Sequence, residues 1–180
     1  MAILFPKGSI GQSGGEYVAQ VVFSETHSAI SLNESSTGST ADLLLSASIT
    51  PQHTDSKFAV FGMSSCKGED GNANLNYEWS LKLYRDQSGN ATYVGGNSTF
   101  SKAYQDNIMV SSMNGSENAQ SCSFFYLDSP GSSNAITYQL RFVGGESDTY
   151  SINVGRDTSG PYNFLNAAGT QMMVMEFCTV

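Results

Sequence analysis

Phe125-Tyr-Leu-Asp-Ser-Pro130, Ala135-Ile-Thr-Tyr-Gln-Leu-Arg-Phe142 and Gln171-Met-Met-Val-Met-Glu-Phe177 decide how this chain folds. The first is a strand running into a Pro/Gly/Ser turn, the second a strand with alternating faces, and the third a closing apolar strand. Working outward, the hydrophobic period stays close to two and is nowhere convincingly 3.6. Tyr77, Trp79, Leu81 and Leu83 alternate with Glu78, Ser80, Lys82 and Tyr84, and Tyr150, Ile152 and Val154 alternate in the same way. Phe58-Ala-Val-Phe61 and Met172-Met-Val-Met175 are apolar on both faces, the pattern of strands covered on both sides.

Turn residues separate these runs. Asp86-Gln-Ser-Gly-Asn90, Asn114-Gly115, Ser129-Pro-Gly131, Gly144-Gly145 and Ser159-Gly-Pro161 place Gly, Pro or Asn where φ must be positive or fixed. Strands are predicted at 17–23, 29–33, 42–49, 57–64, 76–84, 91–95, 108–113, 121–127, 136–143, 149–154 and 171–178, with one or two of the short ones expected to fail. About ten strands at this spacing describe an all-β protein. Two antiparallel sheets packed face to face as a jelly-roll sandwich fit that number.

These motifs also carry a family resemblance. A Leu-Asp-Ser-Pro turn, a Thr-Tyr strand and a C-terminal Val-Met-Glu strand resemble the jelly-roll module of tailed-bacteriophage virion structural proteins, common in marine phages. Upstream, Ser48-Ile-Thr-Pro51, Ser56-Lys-Phe-Ala-Val60 and Leu83-Tyr-Arg-Asp86 follow in that family's order, so the resemblance covers roughly residues 40–180. The family's Ile-Asn-Arg triplet departs here to Ile152-Asn-Val-Gly-Arg156. The resemblance implies a virion role, and its motifs, built from turn and core residues, speak for a fold more than for a task.

Composition narrows the function classes. At 180 residues with 39% hydrophobic content, the chain suits one well-buried core. Charged residues make up 13%, about half the usual share, and the net charge is −8. Eight basic residues scattered along an acidic chain do not form the Lys/Arg cluster that phosphate binding needs, so neither nucleic acid nor membrane is an expected partner. Cys66, Cys122 and Cys178 have neither zinc-ligand nor disulfide-framework spacing and read as buried free thiols. Met1-Ala-Ile-Leu-Phe-Pro-Lys-Gly8 lacks the basic and apolar regions of a signal peptide, so the product is expected in a host cytoplasm and then in a virion.

Residues able to do chemistry are sparse. His27 and His53 lie in polar, turn-like surroundings, and no nucleophile elbow, zinc helix or phosphate-cradling loop is present. The stretch Lys67-Gly-Glu-Asp-Gly-Asn-Ala-Asn74 offers oxygen ligands but fails the EF-hand pattern: counted from Asp70, the sixth and twelfth positions are Leu75 and Leu81. No enzyme activity, cofactor or metal is therefore expected. Asp128 reads as the acceptor that closes the turn ahead of Pro130. Arg141, on the polar side of its alternating strand, is expected to pair with a carboxylate on a neighbouring strand or subunit.

Two units follow. Residues 1–15 form an apolar, Gly-rich arm whose Ile3, Leu4 and Phe5 are expected to dock on a particle or a neighbour, folding back on the chain's own domain being the alternative. Residues 16–180 form the single jelly-roll domain. Its apolar content exceeds what one sandwich needs to cover, which predicts a homotrimer with Met173, Met175 and Phe177 at the shared interface. The expected function is capsid decoration in contact with a major capsid protein or other virion proteins. The alternatives are a tail-fibre or receptor-binding tip, and a lectin-like domain reading a host-surface glycan.

Overall fold

A computed structural model describes residues 2–4, 15–26, 30–33, 42–68, 76–94, 109–114, 119–144, 151–154 and 169–179. Among them there is no helix. The strands are β1 (Ala2–Leu4), β2 (Glu16–Thr26), β3 (Ile30–Asn33), β4 (Asp42–Ile49), β5 (Lys57–Gly68), β6 (Asn76–Gln87), β7 (Asn90–Tyr93), β8 (Met109–Asn114), β9 (Ala119–Asp128), β10 (Ile136–Gly144), β11 (Ser151–Val154) and β12 (Thr170–Thr179). All eleven anticipated strands form, the short ones included: β7 and β8 both add to the long β6, β11 adds to the long β5, and β3 adds to β11. The turn between β6 and β7 is two residues, Ser88 and Gly89, both with positive φ (60° and 85°), the geometry that matches hairpin twist.

The larger sheet has seven strands in the order β1-β2-β12-β5-β11-β3, with β9 on the other edge of β5; the smaller has five, β4-β10-β6-β7, with β8 also on β6. Setting aside the four short additions β1, β3, β7 and β11, the pairings are nested: β6 with β8, β5 with β9, β4 with β10, and β2 with β12. A long antiparallel ribbon rolled up on itself in this way is the jelly roll. First and last long strands lie side by side, so the turns at 129–135 and 50–56 and the final strand converge on one end.

The core lies between the sheets. The smaller sheet contributes Ile136, Tyr138, Leu140 and Phe142 of β10 with Leu81 and Leu83 of β6, and the larger contributes Phe58, Val60, Met172 and Val174. Each set falls at every second position of its strand, as a pleated sheet buried on one face requires. Gly62 faces Phe124 across β5 and β9, and a Cβ at Gly62 would fall inside the Phe124 ring, so the glycine is the space in which that ring lies. A bulge at Leu140/Arg141 in the pairing with β4 lets both Leu44 and Leu45 be buried.

Two carboxylates are buried at the end where the turns converge. Asp128 accepts from Arg85 Nη1 at 2.7 and 2.9 Å, from Tyr138 Oη at 2.8 Å and from the Ser129 amide at 2.9 Å. The turn contact with Ser129 accompanies a larger role that the pattern of residues did not reveal, a tie between β9 and the opposite sheet. Glu176 is fully buried and accepts from Gln20 Nε2 (2.5 Å), Ser56 Oγ (2.5 Å) and the Gln52 amide (2.7 Å), joining β12, β2 and the turn before β5. With its oxygens occupied by donors, the group meets the condition for burying a polar side chain.

Candidate functional site

The site begins with the alternation of β12. Met172, Val174, Glu176 and Cys178 point into the sandwich and are buried, while Met173, Met175 and Phe177 stand half-buried on the opposite face of the sheet. The three residues expected at a subunit interface therefore share one outward face. Its extent comes from register. Met173 pairs with Phe23 on β2 and Phe61 on β5, and Phe61 pairs with Phe125 on β9. One step along, Met175 pairs with Val21 and Ala59, and Ala59 with Leu127. Two adjacent apolar rows thus cross four strands of the larger sheet, with Phe177 paired to Val18 beside them.

Phe23 is 39% exposed, Phe125 54% and Leu127 64%. The Phe61 and Phe125 rings lie 4.8 Å apart between centroids, within the range of favourable ring pairs. A shallow groove of about 530 Å³ opens across the first row, lined by Phe23, Phe61, Met63, Phe125 and Met173. Lys57 closes one border in an ion pair with Glu16, and Gln171 and Ser123 close the other by register with Met63.

The smaller sheet supplies the contrast. Its outward residues include Ser46 and Ser48 on β4, Thr137, Gln139 and Arg141 on β10, and Tyr84 and Asp86 on β6, each with a polar group, the exception being Leu43, 52% exposed opposite Arg141. That is the usual outward polarity of an antiparallel sheet, and the larger sheet departs from it. The sequence signal for the departure was the run of apolar residues on both faces at Phe58–Phe61 and Met172–Met175. Phe23, Phe125 and Leu127 were missed because only register, not local pattern, places them in the same rows.

Of the remaining residues singled out from sequence, Ala2–Leu4 is an edge strand on β2, with Ile3 opposite Val21 and Leu4 opposite Gln20. Its backbone is committed to the chain's own sheet, which is the fold-back arrangement; Phe5 and the connector at 5–14 lie outside the described residues. Pro130 is half-buried behind Asp128. His53 is exposed in the turn before β5, its amide within reach of Ser56 Oγ at 3.3 Å, whereas His27 and the oxygen-rich stretch 69–74 lie outside the described residues. Cys178 is a free, buried thiol. Burial pushes its ionisation up, with Glu176 adding to the shift, while its hydrogen bond with Ser56 opposes it. No cluster of three or more His, Cys, Asp or Glu side chains occurs among the described residues, and no helix is long and apolar enough to cross a membrane.

No protein-family model and no curated protein matches the chain. Among solved structures, a chain from the structure of infectious bursal disease virus, Gx strain, aligns over 93% of this chain and 34% of that one, with 9% identity and a TM-score of 0.30. This chain thus spans about a third of the length of that viral chain. The likeness is weak and carries no argument about function.

Proposed function

We propose that this chain is a non-enzymatic virion structural protein, a capsid decoration protein that binds the outer shell as a trimer. Its contact surface is the outer face of the larger sheet. The observation that carries this reading is the pair of apolar rows running from Phe23 to Phe125 and from Val21 to Leu127. Contiguous apolar surface beyond a few hundred Å² is uncommon on a monomer and marks an interaction site. Buried aromatic side chains cover about 150–250 Å² each at roughly 25 cal/mol per Å². Closing these rows against another surface therefore has the scale needed to offset an association cost of about 4–15 kcal/mol.

The polarity of the two faces supports a shell position. A subunit docked through the larger sheet turns the polar smaller sheet toward water. The resemblance to the phage jelly-roll module points the same way. Met173, Met175 and Phe177 belong to this surface, with other copies of the chain and the major capsid protein as its partners. The stretch Ala2–Leu4 extends the sheet at its β2 edge, and a docking role for Ile3 and Leu4 would require it to leave β2.

Light scattering coupled to size-exclusion chromatography tests the proposal. A mass three times that of the 19.2 kDa chain at micromolar concentration is expected, and a monomer that stays monomeric as concentration rises overturns it.

A further inference from the structure

We propose that the outer face of the smaller sheet is a binding site for a carboxylate-bearing sugar, with Arg141 as the group that grips the acid. The inference rests on this face alone and stands whether or not the larger sheet carries an assembly contact. Arg141 was expected to pair with a carboxylate on a neighbouring strand or subunit. Among the described residues none reaches it. Instead Gln139 Oε1 accepts from Arg141 Nε at 3.0 Å and Nη2 at 2.6 Å, and the guanidinium carbon stands 4.7 Å from the centroid of the Tyr84 ring. Tyr84 in turn meets Tyr93 edge-on, at 5.7 Å between centroids.

The guanidinium is therefore pinned along one edge by a neutral amide and backed on one face by an aromatic ring. Its remaining edge, formed by Nη1 and the second Nη2 hydrogen, has no acceptor among the described residues. Holding an arginine in one geometry sacrifices rotamer freedom, and among the described residues no ion pair offsets that loss. Two other basic residues of this acidic chain are matched: Lys57 with Glu16 and Arg85 with Asp128. A planar fork with two parallel donors fits the two oxygens of a carboxylate.

The rest of the face favours a sugar over an acidic peptide. Ser46, Gln139, Tyr84 and Tyr93 form one row, and Ser48, Thr137 and Asp86 the next. Ser46, Ser48, Thr137 and Gln139 thus put hydroxyl and amide groups beside the guanidinium, while Leu43, 52% exposed, stands opposite Arg141 and offers an apolar surface to a sugar ring. A peptide is commonly captured by adding a strand to a free backbone edge, whereas β10, which carries Arg141 and Gln139, is paired on both of its edges, with β4 and with β6.

Titration of the full chain with methyl glucuronide, methyl glucoside, acetate and a short poly-glutamate peptide, followed by NMR of backbone amides and the Arg141 Nε–H, tests this. The glucuronide is expected to shift the Arg141, Gln139 and Tyr84 signals and to bind at least tenfold more tightly than either glucoside or acetate. Arg141→Gln and Arg141→Lys should each weaken it tenfold or more, the lysine keeping the charge but not the fork. Retention of binding by a folded Arg141→Gln variant overturns the site, as does absence of glucuronide binding to the native chain. Tighter binding of the poly-glutamate peptide overturns the choice of a sugar.

Discussion

Arg85 on the smaller sheet donates from Nη1 to both carboxylate oxygens of Asp128 on the larger sheet, at 2.7 and 2.9 Å. Tyr138 completes the arrangement from β10 at 2.8 Å. The Asp128 side chain is 7% exposed and that of Arg85 21%, so the pair is screened far less than a surface ion pair. It fixes how the two sheets meet at the end where the turns converge.

Asp128→Ala should consequently cost more than a lost turn acceptor, whose usual effect is about 0.5–2 kcal/mol. It strands a partly buried guanidinium and a buried phenol, and a loss of about 2–4 kcal/mol is expected, below the ~3–5 of a fully buried pair because Arg85 keeps some water. Urea unfolding measures it. A loss under about 1 kcal/mol would reduce Asp128 to a turn residue.

Tyr138 gives a pH signature. Burial, then the Asp128 charge and the hydrogen bond to it, push its ionisation well above the ordinary tyrosine value. A group whose folded pKa is raised contributes stability that is fully present below the unfolded value and is lost as pH rises beyond it. Native stability should therefore decline above about pH 10, where an unfolded tyrosine ionises. Tyr138→Phe should be less stable at neutral pH yet decline less steeply above pH 10, as read from urea midpoints across the alkaline range. An unchanged alkaline slope in that variant would rule Tyr138 out as the source.

Gly62→Ala should destabilise the fold by about 1–3 kcal/mol, because the added methyl enters the space of the Phe124 ring. Phe124→Leu in the same chain should recover part of that loss, since the two positions couple directly. Additive losses in a double-mutant cycle would contradict the packing described.

The legibility of this fold in its sequence follows from what local pattern encodes. Alternation along 136–143 and 171–178, together with the turn residues between runs, located all eleven strands and the two-sheet arrangement. The expectation that one or two short strands would fail misjudged β7, β8 and β11, whose stability comes from long neighbours rather than from their own residues. Ala2–Leu4 looked like an arm because an apolar tripeptide before a Gly-rich connector carries no alternation, and only pairing with β2 makes it a strand. Asp128 and Glu176 could be seen as acidic, but their partners lie tens of residues away: Arg85 at a separation of 43 and Ser56 at 120. Arg141 was placed on the correct side of its strand, while its neutral partner Gln139, two positions away, was passed over in favour of a carboxylate.

The outer face of the larger sheet is the centre of the account, and its most direct test is the mass in solution of the double variant Phe125→Asp/Leu127→Asp. Both residues are more than half exposed, so the sandwich should stay folded by circular dichroism, and Thr137→Asp on the opposite sheet serves as the control. The native chain and the control are expected to run as trimers and the double variant as a monomer. A folded double variant that keeps the native mass would place assembly elsewhere on the molecule and contradict the account.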